Sequence, residues 1–366
     1  MPRVGAMIPA LTDGTSFYRG AGPLQALSKD EDYRIEIGGM VTWAYLRGLD
    51  GLFLQRPYTK DHLNIVHICK ANGTPVWVDY DDDLFTVPIQ NPTHRIYGNP
   101  EFQNNITRIL CEADFVSVST ECLKEKFGKI LEEIEKKNTN ERFDKRFFDP
   151  DKIKVIPNAY DSELFRYSAK EWDRPAEAQS LSALWRGSHT HDADMSRFTV
   201  DLGKAIEAGC ASNLKWTYNF VGSPWWGTLK WLEENLRLSD KELVITQPLD
   251  VIEYHRFLHV LKPSIVYVPL LNDPFNRAKS NVGWIEATHA GAVCLAPDWP
   301  EWRRPGIINY KSPDDFGKLL TQGLKGGWRI SELVQESRNY INESLTLRKV
   351  NRKRVEIIEA MVRLRS

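Results

Sequence analysis

The chain reads as an α/β protein made of two doubly wound, Rossmann-like domains facing each other across a cleft. Three observations predict this. Short apolar runs of strand length alternate with amphipathic helical stretches along the chain. A polar stretch, YSAKEWDRPAEAQS at 167–180, interrupts that alternation near the middle, after which it resumes. The length, 366 residues, suits two cores better than one. We place the first domain at 1–168, the linker at 169–180 and the second domain at 181–340. Residues 341–366 are expected as a C-terminal helix able to cross back to the first domain.

In the first half the strand-like runs are Val4–Ile8, Arg34–Ile37, Gly51–Leu54, Val76–Asp79, Phe115–Ser119 and Ile153–Ile156. A helix starts near Pro23, because proline fits the first helical turn. The segment HLNIVHICKANG reads as a helix ended by Gly73. ECLKEKFGKILEEIEKK is a charged amphipathic helix that fades into the polar run NTNERFDKRFFDP. The second half offers strands at Ser182–Arg186, Lys215–Phe220, Leu243–Thr246, Ile265–Pro269 and Ala292–Ala296. Its helices fall at Met195–Gly209, Gly227–Asn235, Val251–Leu261, Val282–Ala290 and Asp314–Gln322. Ile330–Met361 is a last amphipathic stretch. Ligands of such sheets sit beyond the carboxyl ends of the strands.

Composition narrows the function. The 48 basic and 49 acidic residues nearly cancel, so a nucleic-acid partner is not favoured. The basic run RKVNRKRVE reads as a solvated helix face. No apolar run approaches the roughly 20 residues that span a bilayer. The N-terminus, MPRVGAMIPALTDG, lacks a secretory pattern, and a cytoplasmic location is expected. The five cysteines contain no CxxC pair and read as reduced, mostly buried thiols.

The most informative segment is NDPFNRAKSNVGWIEATHAGAVCLAP, 272–297. A loop ends in Lys279, Ser280 and Asn281, a helix comes next, and Gly291 ends it. A helix N-terminus offers unpaired N–H groups and a positive dipole end, which suits a diphosphate. Lys279 is expected to neutralise the phosphates and Ser280 or Asn281 to cap the helix. Glu286, about two turns beyond Lys279 if both are helical, can accept hydrogen bonds from two ribose hydroxyls. In LWRGSHTHDADM, 184–195, Arg186 offers a planar fork to phosphate. His189, His191, Asp192 and Asp194 have the inventory of a metal site, but neighbours in one short loop rarely converge on an ion. Asp79, Asp81, Asp82 and Asp83 crowd the end of a strand and suit acceptor binding or support of developing positive charge. Strand alternation would send Asp81 and Asp83 to one side and Asp82 to the other.

These segments, in this order, resemble the donor site of retaining GT-B glycosyltransferases of the family 4-like group. Glu286 matches the group's ribose-binding glutamate, and AGAVCLAP matches the Ala-Gly and β-strand that come after that glutamate. The group usually carries a second glutamate seven residues earlier, and here that place falls on Ala278, with Lys279 next to it. The stretch IPNAYDSELF matches at Pro157, Asn158, Asp161 and Phe165, which we read as architectural. Gly187 and Ser188 match the Gly-rich loop whose amides face the donor phosphates. NFVGSPWW resembles the glycine loop near the base, where Trp225 or Trp226 would stack. Gln247, Pro248 and Leu249 match the loop that reads the base edge. The N-terminal loop with Gly14, Tyr18 and Arg19 resembles the flexible loop that closes over acceptor and donor, and Arg19 would meet a phosphate or an acidic acceptor.

The resemblance implies transfer of a sugar from a UDP-, GDP- or ADP-type donor to a hydroxyl acceptor, with retention. Lys279 would stabilise the leaving diphosphate and Asp82 would lie on the acceptor side; from the residues, Asp81 or Asp83 is the candidate base, a group that retaining members of the resembled family can do without. No cofactor or essential divalent metal is expected. Three alternatives stay open at this point: a non-catalytic sugar- or nucleotide-binding protein, a metal-dependent GT-A transferase using the aspartate cluster, and a modified base in phage DNA as acceptor.

Overall fold

A computed structural model describes residues 1–30, 33–38, 42–137, 149–161, 181–222, 226–236 and 242–366. The expected linker, Phe165 and Trp225 lie outside the described residues, as does the side chain of Trp226.

Six strands build a first parallel sheet: β1 (Arg3–Met7), β2 (Arg34–Ile37), β3 (Gly51–Gln55), β4 (Val76–Tyr80), β5 (Phe115–Val118) and β6 (Ile153–Val155). Their order is β2-β1-β3-β4-β5-β6. A second parallel sheet holds β7 (Leu181–Gly187), β8 (Trp216–Gly222), β9 (Leu243–Thr246), β10 (Ile265–Tyr267), β11 (Val293–Pro297) and β12 (Ile307–Tyr310), in the order β12-β11-β10-β7-β8-β9. The strand order reverses between β1 and β3 in one sheet and between β7 and β10 in the other. Those are the places where the loops separate and leave a crevice. The strand β12, IINY, is not anticipated by the sequence pattern.

Both sheets are covered on two faces, which is why β3 and β4 are buried along their whole length. Leu52, Val78, Ile106 and Phe127 pack on one side of the first sheet. Trp185, Phe198, Tyr218 and Phe316 pack in the second. A further cluster runs through both halves and joins Phe53 and Trp77 to Trp284, Ile358 and Met361. The helix Leu347–Arg365 contributes to it from the C-terminus. Its approach is fixed by Leu347 N–H donating to Tyr160 O (2.7 Å) and Asn351 Nδ2 donating to Pro23 O (3.1 Å). Met361 fills the space beside Gly51, where an added Cβ would stand 2.5 Å from its Cε. Among the described residues no helix is long and apolar enough to cross a membrane.

The two halves touch through polar contacts as well. Val251 N–H donates to Thr12 O (3.0 Å), and Thr120 Oγ1 donates to Ala278 O (3.0 Å). Asn158 Nδ2 donates to Ser280 Oγ (2.8 Å), so the Pro-Asn turn after β6 braces the loop before the helix Val282–His289.

The expected role of Arg19 is corrected by its surroundings. Arg19 is 1% exposed, and its guanidinium is used up inside the first half. Nε and Nη2 donate to the two oxygens of Asp79 at 3.0 and 2.6 Å, while Nη1 donates to Ile156 O and Asn158 Oδ1. Asp79 also accepts from Ser117 Oγ, which accepts in turn from Trp77 Nε1. Four of its five N–H donors are engaged, and at 1% exposure the group lines neither cavity described below. Arg19→Met would strand Asp79 as a buried, half-partnered charge. We expect a loss of about 3–5 kcal/mol in urea unfolding; a loss below about 1 kcal/mol would contradict this structural role.

Candidate functional site

The carboxyl ends of the two sheets enclose a cavity of about 420 Å³. The first half lines it with Gly14 and Thr15 after β1, Arg56 after β3, Asp82 after β4, and Tyr97. The second half contributes Arg186, Gly187 and Ser188 from β7, Gly222 from β8, Leu249, Tyr254, Lys279 and Glu286. A smaller cavity of about 190 Å³ adjoins it and shares Thr15, Asp82, Arg186, His191 and Lys279. This second space also reaches Asp81, Ser280, Val282 and Gly283, at the first turn of the helix Val282–His289. A groove of about 650 Å³ meets the larger cavity at Asn91, Thr190 and Phe275.

The floor between β7 and β8 is bare backbone. Gly187 and Gly222 are register partners at the two strand ends. Gly222 has φ 128°, and a Cβ there would collide with the Gly187 carbonyl. A Cβ on Gly187 would stand 2.5 Å from the Trp185 ring. Only glycine fits either place, because the added carbon would meet the Trp185 ring or the Gly187 carbonyl, and both residues present main chain to the larger cavity.

Glu286 sits in the wall, 2% exposed. Its Oε2 accepts from Arg186 Nε (2.9 Å) and Nη2 (2.5 Å). Its Oε1 accepts from the Tyr18 hydroxyl (2.8 Å). The same hydroxyl lies 2.7 Å from His255 Nε2, so His255 is the donor to Tyr18 in that chain of bonds. Burial, reinforced by Arg186, pushes His255 down to about 3 and keeps it neutral. Arg186 also lies over the Tyr254 ring, 5.4 Å from its centre. The expected flexible loop is helical from Gly14 to Asp30, Tyr18 fastens its turn Phe17–Ala21 onto the second half, and the expected acceptor-side position is replaced by a buried one.

The acidic run folds differently from strand alternation. β4 ends at Tyr80, so the alternation does not extend to the acids. Arg56, at the unusual φ of 50°, donates to Asp81 Oδ1 through Nε (3.0 Å) and Nη2 (2.5 Å), and reaches Asp82 Oδ2 at 3.3 Å. Asp83 turns away and is buried, accepting from Phe85 N–H, Thr86 Oγ1 and Lys126 Nζ. Asp81 and Asp82, not Asp81 and Asp83, share a side. Burial raises Asp81 against the pull of Arg56. At Asp82 burial is also the largest influence, but Lys279, Arg56 and His191 together outweigh it and hold the carboxyl below its ordinary value. The base expected at Asp81 or Asp83 is thus a guanidinium-bound carboxylate in one case and a turn anchor in the other.

Lys279 precedes the helix instead of lying on it, with its Nζ 3.6 Å from Asp82 Oδ1 and 4.5 Å from the centre of the Phe275 ring. Asn281 takes the N-cap position, as one of the two expected residues, but makes no side-chain cap bond. Ser280 Oγ accepts from Asn158, and Asn281 is buried with its amide donating to Glu301 O (3.0 Å). The first turn carries no side-chain cap where Val282 and Gly283 border the smaller cavity. Leu249 lines the larger cavity, whereas Gln247 is exposed and borders neither cavity. His191 Nδ1 is 2.8 Å from Asp194 Oδ2. Among the described residues no three His, Cys, Asp or Glu side chains converge as a metal site would. Arg56, Tyr97, Tyr254 and His255 escape a reading of the sequence, since nothing in their local pattern distinguishes them.

No family model matches the chain, and no curated protein matches it. Solved structures do match its fold. The Anabaena protein HepE, in complex with UDP and glucose, aligns over 98% of this chain and 100% of its own, with TM-score 0.60 and 10% identity. A glycosyltransferase from Rickettsia africae aligns over 99% and 98%, with TM-score 0.62 and 11% identity. An E. coli trehalose-6-phosphate structure bound with UDP-2-fluoro glucose aligns over 98% and 99%, with TM-score 0.64 and 11% identity. At these identities the likeness establishes the architecture: two Rossmann-like domains across a cleft, the GT-B fold. The GT-A alternative is overturned by the two facing sheets.

The buried histidines make stability pH-dependent. Burial pushes His289, like His255, down to about 3 from an ordinary 6.5. Because the folded values are depressed, their contribution is complete above 6.5 and is lost as pH falls from there toward 3. Each histidine should remove about 2 kcal/mol of unfolding free energy between pH 7 and pH 5. Urea titrations at the two pH values check this, and equal midpoints would contradict neutral burial.

Proposed function

We propose that the chain is a glycosyltransferase that moves a sugar from a nucleoside diphosphate to a hydroxyl acceptor, with retention. The observation that carries this is convergence on the smaller cavity. Arg186, Lys279 and the uncapped first turn of the helix Val282–His289 meet there, beside the bare Gly187–Gly222 cradle. Two cations, helix N–H groups and exposed main chain form a diphosphate site. Glu286 borders the adjoining larger chamber, where a ribose would lie against it. The shared fold with HepE, solved with UDP and glucose, supports a nucleotide-sugar ligand.

Each cation rests on a carboxylate: Arg186 on Glu286, and Lys279 on Asp82. Donor binding would exchange these partners. The diphosphate takes Arg186 and Lys279, and the ribose hydroxyls donate to Glu286. As the anomeric bond breaks, negative charge accumulates on the terminal phosphate, where the same cations stabilise it. No step needs a metal.

Calorimetry with UDP-, GDP-, ADP- and CDP-glucose, with and without chelator, tests the assignment. One donor should bind regardless of chelator, and Glu286→Ala should weaken it by at least about tenfold, the value of a hydrogen bond to a charged group. Binding by none, or metal-dependent binding that ignores Glu286, would contradict the reading. The first result would favour a protein that kept the fold for another role.

A further inference from the structure

We propose that His191 is the proton-transfer group of this reaction and that Asp194 is its positioning residue. The inference rests on the donor site described above but on different contacts. His191 comes after the Gly187–Ser188 turn and borders both cavities, together with Lys279, Asp82 and Arg186. Its Nδ1 faces Asp194 Oδ2 at 2.8 Å. The ring's Cδ2 lies 3.3 Å from where a Gly187 Cβ would stand. Nε2 is the nitrogen next to Cδ2, and among the described residues no side chain or main-chain group hydrogen-bonds to it.

Asp194 is itself fixed. It is 4% exposed, and its Oδ1 accepts from Leu271 N–H and Asn276 Nδ2, both at 2.8 Å. Oδ2 is thereby aimed at the ring. A buried carboxylate that accepts from Nδ1–H selects the tautomer with a free lone pair on Nε2 and stabilises the imidazolium once it forms. This is a base with its orienting group, placed in a cleft. Asp81 and Asp83 lack that arrangement, since one is tied to Arg56 and the other is turned to Lys126.

The charges around the ring agree. Asp194 on the helix that begins at Asp192 and Asp82 across the cavity favour the protonated ring, Lys279 opposes it, and Asp192 stands beside it in sequence. Burial is the largest influence and leaves His191 below its ordinary value, neutral and ready to accept a proton at neutral pH.

In the reaction the acceptor hydroxyl gives its proton to His191 Nε2 as its oxygen forms the new C–O bond at the anomeric carbon. The bond from that carbon to the terminal phosphate oxygen breaks, and its electron pair leaves on the nucleoside diphosphate. The imidazolium then returns its proton to water. His191 shares its cavity with the cations that hold the leaving group, so proton removal and departure occur on one side of the sugar. That is the arrangement a retaining transfer needs.

The test uses the full chain and the glucose donor that binds in calorimetry, with water as acceptor. His191→Ala should lower kcat for donor hydrolysis by about 100-fold or more. Donor Kd should stay within about threefold, and added imidazole should restore part of the rate. Asp194→Asn keeps an oxygen for Leu271 and Asn276 but opposes Nδ1–H, so it should lower kcat and shift the ascending limb of the pH profile. Nitrogen-15 NMR gives a readout that needs no turnover: neutral His191 should carry its proton on Nδ1. A kcat for His191→Ala within about threefold of the unaltered chain, or a proton on Nε2 in the neutral ring, would overturn the proposal. Loss of donor affinity equal to the loss of kcat/KM would make His191 a donor ligand only, which also overturns it. Failure of the unaltered chain to bind any of the four donors would instead remove the donor assignment beneath it.

Discussion

The carboxylate of Glu286 is held from both halves of the molecule at once. Arg186, at the end of β7, grips one oxygen, and Tyr18, in the helical turn Phe17–Ala21 after β1, donates to the other. A buried carboxylate left without such partners costs several kcal/mol. The helical turn Phe17–Ala21 must therefore reach across the cleft. Glu286 lies within the helix Val282–His289, and the first turn of that helix borders the smaller cavity. Anchoring the glutamate anchors the helix, the Lys279 loop before it, and the shape of the site. The Arg19–Asp79 pair plays a parallel part inside the first half by tying the same helical turn to β4.

Pairing also governs the charge of the cleft. Arg56 is matched with Asp81 and Asp82, Lys279 with Asp82, and Arg186 with Glu286. A cleft built this way carries no large field of one sign, in keeping with a net charge of -1 for the chain. On the proposed reading, its capacity for an anion would lie in exchangeable partners, not in surplus positive charge. The low-dielectric walls strengthen whichever pairing is present, so the exchange should be sharp.

Much of the fold is legible in the sequence because buried parallel strands are near-continuous apolar runs and their helices are amphipathic. β12 escapes because it is four residues long and sets Asn309 and Tyr310 after two isoleucines. In the site, local pattern marks the loops correctly as places in the chain but does not supply their long-range partners. Arg19 reads as a loop arginine until Asp79, 60 residues away, is found against it. Asp83 reads as part of an acidic cluster until Lys126 and the turn at Thr86 claim it. Strand alternation fails beyond Tyr80 because the strand has already ended there. The His191–Asp194 spacing is visible as metal-like inventory. Which ring nitrogen faces the carboxylate depends on the turn at Ser188 and on the braces from Leu271 and Asn276, and a single sequence does not carry that.

The chamber lined by Arg186, Lys279 and Glu286 is, in this reading, the seat of a nucleoside diphosphate. Hydrogen exchange read by mass spectrometry, with UDP, GDP, ADP or CDP added in the presence of chelator, addresses this directly. One nucleotide should slow exchange in residues 186–191 and 279–287 and leave β2 and the helix Leu347–Arg365 unchanged. Protection that appears only with a divalent metal and centres on Asp79–Asp83, or no protection with any of the four, would contradict it.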